Sequence, residues 1–239
     1  LATELQIIFT AWYNNKLKSA VYPQYKELSA VSQNVVKSAP KGSAYDELDD
    51  MIGLCEAKQV IKKAINYYKM QKLYEEKGVK RDHPAMHMIF SGNPGTGKTT
   101  IARLLSKVYK AIGLLEKGQL VEVDRAGLIA GYQGQTAIKT AEVVQSALGG
   151  VLFIDEAYSL VQGDNDTYGK ECIATVLKAM EDNRDNLVVI VAGYTEPMNK
   201  FFESNPGLKS RFNTFIEFED YSSNELMDIL PHLQAHRRC

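Results

Sequence analysis

Apolar residues recur along this chain with helical spacing in some stretches and as short unbroken runs in others. Leu5, Ile8, Phe9 and Trp12 share one face of a predicted helix that Pro23 ends or kinks, and packing on the core is favoured over packing on a partner. Lys37 to Ala44, with Ser38, Pro40, Gly42 and Ser43, reads as a linker and marks a boundary. The segment from Asp46 to Leu54 then leads into a long helix with Ile61, Ala64, Ile65 and Tyr68 on one face, running to about Glu76 and stopped by Gly78. Met86 to Phe90 is a short apolar strand, followed at Ile101, Leu104, Leu105 and Val108 by helical spacing. Gly113 and Gly118 bracket the way into a strand at Leu120 to Val123. A glycine-rich loop, Gly127 to Gly134, precedes a helix from about Thr136 to Leu148 that Gly149 and Gly150 end. The uninterrupted runs Val151 to Ile154 and Leu187 to Val191 fit strands buried on both faces, and Thr214 to Phe218 is a shorter one. Between the first two, Ile173, Val176, Leu177 and Met180 mark another helix. Strands alternating with helices in this way predict an α/β fold, a parallel sheet with helices on both faces and right-handed crossovers.

Between the strand ending at Phe90 and the helix carrying Ile101 lies Ser91-Gly92-Asn93-Pro94-Gly95-Thr96-Gly97-Lys98-Thr99-Thr100. Gly92, Gly97, Lys98 and Thr99 match the phosphate-binding loop pattern, in the strand-to-helix context that pattern requires. Main-chain N–H groups can wrap a polyphosphate only where no Cβ stands in the way, and the helix that follows aims its N-terminal dipole at the same anion. Gly92 to Thr100 is therefore read as binding a nucleoside triphosphate, with Lys98 on the β/γ-phosphates and the Thr99 hydroxyl on Mg²⁺.

The run Val151 to Ile154 ends in Asp155-Glu156. A carboxylate at a strand tip beside a phosphate loop can hold Mg²⁺, directly or through its water shell, and that role falls to Asp155. Glu156, one residue further, is placed to polarise a water against the γ-phosphate.

Bulk properties remove other possibilities. Composition is that of a folded globular protein, 45% hydrophobic and 24% charged over 239 residues, enough for a substantial core. Lys+Arg 28 against Asp+Glu 29 leaves a formal net charge of -1, so no global basic field favours nucleic acid. Cys55, Cys172 and Cys239 form neither a disulfide framework nor a zinc spacing, which fits a cytoplasmic, reducing setting. No stretch near the start is long and apolar enough to span a bilayer. His83 and His87, separated by Pro84, lack the further ligands of a metal site, and Asp164 to Asp166 lack the twelve-residue calcium pattern.

The phosphate loop, Asp155-Glu156 after a strand, and Asn205-Pro206-Gly207-Leu208-Lys209-Ser210-Arg211-Phe212 after a further strand together resemble an AAA+ ATPase. More narrowly, Gly127 to Thr136, Ile190 to Tyr194 and Asn205 to Phe212 resemble the group containing red-type Rubisco activase and stage V sporulation protein K. The resemblance covers about Tyr45 to Leu230. It implies ATP hydrolysis in a hexameric ring, with Arg211 as an arginine finger reaching a neighbouring subunit's site and Tyr132 as the aromatic residue that grips polypeptide in the channel. Gln133 departs from the usual apolar residue beside that aromatic. Ile52-Gly53 resembles the segment near the adenine. At the position that senses the γ-phosphate, Tyr194 and Thr195 compete, and Thr195 is the preferred reading.

Residues 1–40 are thus expected to be an N-terminal helical extension, 41–221 the large AAA+ subdomain, and 222–239 the start of a truncated helical lid, opened by a Ser222-to-Glu225 capping box and followed only by Pro231 to Cys239. Without the lid, this chain is expected to be monomeric with weak hydrolysis. The function so implied is ATP-driven remodelling of a client protein, which the sequence does not name. A nucleic-acid motor or clamp-loader ATPase is the alternative, disfavoured by the charge balance and by the lack of a basic, aromatic-laced segment. A nucleotide switch or small-molecule kinase is a third reading. It lacks a guanine motif and has no need of a trans arginine.

Overall fold

The protein is described by a computed structural model covering residues 43–76, 86–132, 134–163, 165–203 and 206–236. These residues all fall in the compact unit Pro40–Cys239. The predicted helix at Leu5 to Trp12, the stop at Gly78, and residues His83, Gln133, Asp164 and Asn205 lie outside the described residues.

Five parallel strands form the sheet: β1 (Met88–Gly92), β2 (Leu120–Val123), β3 (Gly150–Ile154), β4 (Leu187–Gly193) and β5 (Thr214–Phe218), in the spatial order β2-β3-β4-β1-β5. The helices are α1 (Ser43–Asp50), α2 (Cys55–Glu76), α3 (Lys98–Ala111), α4 (Arg125–Leu128), α5 (Gln135–Ala147), α6 (Thr167–Asp182), α7 (Thr195–Glu203), α8 (Pro206–Lys209) and α9 (Ser223–His236). The α/β class and the parallel, helix-covered sheet are as the alternation of elements predicts.

The central strands bury both faces because their side chains alternate between two cores. Met88, Phe90, Val151, Phe153, Val188, Ile190 and Ala192 meet Leu48 of α1, Ile61 and Ile65 of α2, and Ile101, Leu105 and Tyr109 of α3. Ile89, Leu152, Ile154, Val189 and Val191 meet Val144 of α5, Ile173 and Val176 of α6, and Phe201 of α7 on the other side. A fully buried side chain such as Phe153 contributes roughly 3 kcal/mol, so β1, β3 and β4 make a stiff platform for whatever their ends carry.

Several boundaries differ from the sequence reading. Ser43 and Ala44, read as linker, begin α1, and Leu48 within it is fully buried. Lys58 accounts for part of that helix's stability, since its Nζ donates to the free carbonyls of Asp49 and Met51 at the helix end. β1 starts at Met88 rather than Met86, and β4 runs on to Gly193. Gly127 sits in the short helix α4, capped by Asp124, whose carboxylate accepts from Gly127 N at 2.8 Å. Gly150, read as a helix stop, opens β3. A turn of 3₁₀ helix at Ala157–Leu160 was not predicted. The capping box at α9 forms: Glu225 accepts from Ser222 N at 2.8 Å, and Glu225 N reaches Ser222 Oγ at 3.4 Å. The helix then continues through Pro231 to His236.

His87 shows how tightly the sheet is closed. It lies 1% exposed just before β1, and its Nδ1 accepts from Val189 N at 3.0 Å. Among the described residues Nε2 has no hydrogen-bond partner. Burial lowers the imidazole pKa to about 4, the Met180 carbonyl opposes this, and the charges of Arg184 and Arg211 add to it.

Candidate functional site

The C-terminal ends of β1, β3 and β4 lie side by side, Ser91 in register with Gly193 and Ile154 with Val191. Adjacent strands are about 4.8 Å apart, so Asp155 at the tip of β3 stands about 10 Å from the mouth of the loop after β1. One cleft of about 320 Å³ is lined by Gly92, Pro94, Gly95, Gly97, Lys98, Thr99 and Thr100 from that loop, Asp155 and Glu156 from β3, and Gly193 and Tyr194 from β4.

The loop's shape follows from its residues. Gly92 has φ 147°, and a Cβ there would lie 2.4 Å from the Phe218 carbonyl oxygen, a main-chain atom of β5 that cannot step aside. At the other end Gly97 is the N-cap of α3 with no side-chain cap bond, which leaves the first-turn N–H groups open to an anion. Thr96 Oγ1 donates to Asn93 O at 2.8 Å. Lys98 Nζ folds back on the loop, donating to Gly92 O at 2.9 Å and Asn93 O at 2.7 Å. Burial lowers the Lys98 pKa, while Asp155 works to raise it. The ammonium is thus already turned into the cradle, where a phosphate would compete with two carbonyls for it.

Asp155 and Glu156 differ in backbone as well as position. Asp155 N donates to Val123 O at 2.8 Å, extending the β2–β3 ladder, and its Oδ1 accepts from Glu156 N at 3.0 Å. Glu156 is in the left-handed region, φ 46° and ψ 45°, and Ser159 N closes the following turn on its carbonyl at 2.7 Å. A non-glycine residue there costs roughly 1–2 kcal/mol, and such strain gathers where function needs a side chain aimed off the regular path. Tyr158 lies over the end of β4, its ring 6.0 Å from that of Tyr194. Burial raises the Tyr158 pKa, and the Glu156 and Tyr194 side chains push the same way.

The remaining predicted residues are placed as follows. Thr195 opens α7 and does not line the cleft, whose wall there is Gly193 and Tyr194. Ile52 and Gly53 lie in the turn between α1 and α2 and are outside the cleft too. Their neighbours Met51 and Leu54 do approach the phosphate loop, within 3.7 and 3.6 Å of where a Cβ on Gly97 would stand. Arg211 lies away from this cleft: its Nη1 donates to Gly207 O at 3.1 Å, and Nε stands 3.6 Å from Glu181 Oε2. Tyr132 is 74% exposed on the loop between α4 and α5. Sequence reasoning passed over Tyr221, whose hydroxyl donates to Thr96 O at 3.3 Å, and Asp220, which accepts from the Asn93 side chain. Neither carries a local signal, because each acts across more than a hundred residues of chain.

Comparison with known proteins agrees with this arrangement. The pattern of the ATPase family associated with various cellular activities (AAA) matches residues 88–220. Stage V sporulation protein K of Bacillus subtilis (strain 168) is 43% identical over 209 residues, covering 87% of this chain and 65% of that protein. Protein CbbX of Cereibacter sphaeroides is 47% identical over 190 residues, 79% of this chain and 62% of that one. The ESX-1 secretion system protein EccA1 of Mycobacterium tuberculosis (strain ATCC 25618 / H37Rv) is 46% identical over 204 residues, 84% of this chain and 36% of that one. The chain therefore spans between about a third and just under two thirds of these relatives. Among solved structures, the FIGL-1 AAA domain in complex with ADP shares the fold, with a TM-score of 0.58 at 19% identity over 78% of this chain and 60% of that one. A parallel sheet in this strand order, a glycine loop leading into α3 and two carboxylates at the end of β3 coincide with the matched segment, and the chain belongs to the AAA family of ATPases.

Proposed function

We propose that this chain is the ATP-hydrolysing part of a protein remodeller, acting in the cytoplasm as one subunit of a ring. The observation that carries the reading is the convergence of the Gly92 to Thr100 loop, Asp155 and Glu156 on one cleft. The loop N–H groups and Lys98 take the phosphates. The Thr99 hydroxyl and the Asp155 carboxylate would hold Mg²⁺, being oxygen donors of the kind that ion prefers, and when bound it supplies neutralisation of charge on the β- and γ-phosphate oxygens. Glu156, on its left-handed backbone, orients a water toward the γ-phosphate. Support for a finger acting between subunits comes from Arg211, which is held away from its own chain's cleft. Support for a grip on polypeptide comes from the exposure of Tyr132.

No helix among the described residues is long and apolar enough to cross a membrane. The relatives are named for sporulation and for secretion, and the client of this chain is read only as a polypeptide. The test uses Glu156→Gln in the full-length protein: it should bind ATP, hold it unhydrolysed and retain client in a pulldown, whereas Lys98→Ala should bind none. Hydrolysis undiminished by Glu156→Gln would overturn the assignment.

A further inference from the structure

Arg125, in the short helix α4, is the best-connected cation among the described residues outside the cleft. Its Nη1 donates to Ser159 O at 2.8 Å, to Leu160 O at 2.5 Å and to Asp166 Oδ2 at 2.9 Å. The Arg125 side chain is 24% exposed and that of Asp166 only 6%. Asp166 is otherwise committed locally, accepting from Gln162 N at 2.9 Å and from Gly169 N at 2.9 Å as the cap of α6. Burial works to raise its pKa, but those two N–H groups and Arg125 hold the carboxyl below the usual range, so the pair is charged on both sides.

The two ends of this connection lie at the two places where the proposed function needs action. Ser159, whose carbonyl Arg125 holds, closes the turn on Glu156 through its own N–H at 2.7 Å. Arg125 itself begins the helix that runs into the Tyr132 loop, and that loop is fastened back onto α4 and α5. Lys139 Nζ donates to Ala126 O at 2.6 Å and Ile129 O at 3.0 Å, Ala130 N donates to Thr136 Oγ1 at 3.3 Å, and Thr140 Oγ1 donates to Leu128 O at 3.1 Å. Thr136 and Thr140 are fully buried, so the base of the loop is fixed, and Gln135 N closes on Tyr132 O at 3.3 Å.

We propose that Arg125 is a positioning residue that holds the Glu156 turn and joins it to the Tyr132 loop, so that a change at the ATP site is passed to that loop. It does not line the cleft and acts through the carbonyls of Ser159 and Leu160. The three acceptors converge on Nη1 and share its two N–H groups, and an arginine carries that nitrogen one bond further from the backbone than a lysine ammonium stands, so lysine keeps the charge but falls short of the contacts. This inference rests on the reading that hydrolysis at Glu156 drives Tyr132.

The experiment measures ATP turnover, binding of a fluorescent ATP analogue, and hydrogen exchange in the peptide containing Tyr132 with and without a slowly hydrolysed ATP analogue, all in the full-length protein. Arg125→Met should lower kcat by about tenfold with KM and analogue affinity within about twofold, because misplacing a catalytic group by a fraction of an ångström costs rate and not binding. The nucleotide-dependent change in exchange at the Tyr132 loop should vanish. Arg125→Lys should fall between the two, and Arg125→Gln, which also removes the hold on both carbonyls, provides the same comparison should the Met variant not fold. Unchanged kcat, or an intact loop response in a folded variant, overturns the role of Arg125 while leaving the ATPase reading in place. A parent protein that hydrolyses ATP yet shows no loop response overturns the coupling at its origin, and one that hydrolyses none overturns the underlying reading.

Discussion

Asn93 donates from its side-chain nitrogen to both carboxylate oxygens of Asp220, at 3.0 and 2.9 Å. The bond joins the first half of the phosphate loop to the residue leading into Tyr221 and α9, and the same Asn93 offers its carbonyl to Lys98 and Thr96. One asparagine therefore holds the resting position of the lysine and is itself held from across the sheet. Asp220→Ala should release it and weaken binding of a fluorescent nucleotide by about fivefold, the roughly 1 kcal/mol that a typical hydrogen bond contributes. Titration of the variant against the parent checks this.

His87 sets an acid limit on stability. Burial depresses it to about 4, whereas an unfolded chain carries an ordinary histidine near 6.5. Between those values the unfolded state takes up a proton that the folded state refuses, so the stability is full above the unfolded value and falls with pH through this window. Denaturant melts should lose about 2 kcal/mol from about pH 7 to about pH 5. His87→Gln, which can still accept from Val189 N but does not titrate, should remove most of that dependence.

Gly193 is packed under Tyr158. A Cβ at Gly193 would lie 2.8 Å from Tyr158 Cδ1 and 2.9 Å from the Met198 side chain. Gly193→Ala should therefore push the Tyr158 ring outward beside Glu156, lowering kcat by about tenfold with little effect on nucleotide affinity. Steady-state kinetics with a parallel binding titration separates the two.

Arg211→Ala should leave nucleotide binding intact and cut turnover by about 10³-fold, within the range arginine fingers supply. Mixing it with Lys98→Ala should restore activity, because the first variant keeps a whole cleft and the second a whole finger. Failure to complement would place Arg211 in a structural role beside Glu181 and Gly207.

What the sequence made legible was local and periodic. The loop from Gly92 to Thr100, the run into Asp155-Glu156 and the long helix with Ile61 and Ile65 each carry their signal within a few turns or one strand. Composition misled at Ser43 and Ala44, where small residues read as linker while Leu48 and the reach of Lys58 build a helix. Thr195 drew the γ-phosphate role by chemical type, but β4 runs two residues longer than its apolar pattern suggested. That length puts Tyr194 at the cleft and Thr195 at the start of α7. Arg125 had no signal at all, since an isolated arginine declares nothing until two carbonyls of a distant turn and the cap of α6 are folded against it.

The left-handed backbone at Glu156 sets two selective pressures against each other. An L-residue with a Cβ holds that conformation at a cost of roughly 1–2 kcal/mol that glycine would escape. Glu156→Gly should consequently melt several degrees above the parent while hydrolysing nothing, a gain of about 1 kcal/mol raising Tm by about 2–4 °C in a chain of this size. Selection for thermal endurance alone would erase the glutamate, and under the role proposed for it the position is held for turnover at the expense of robustness.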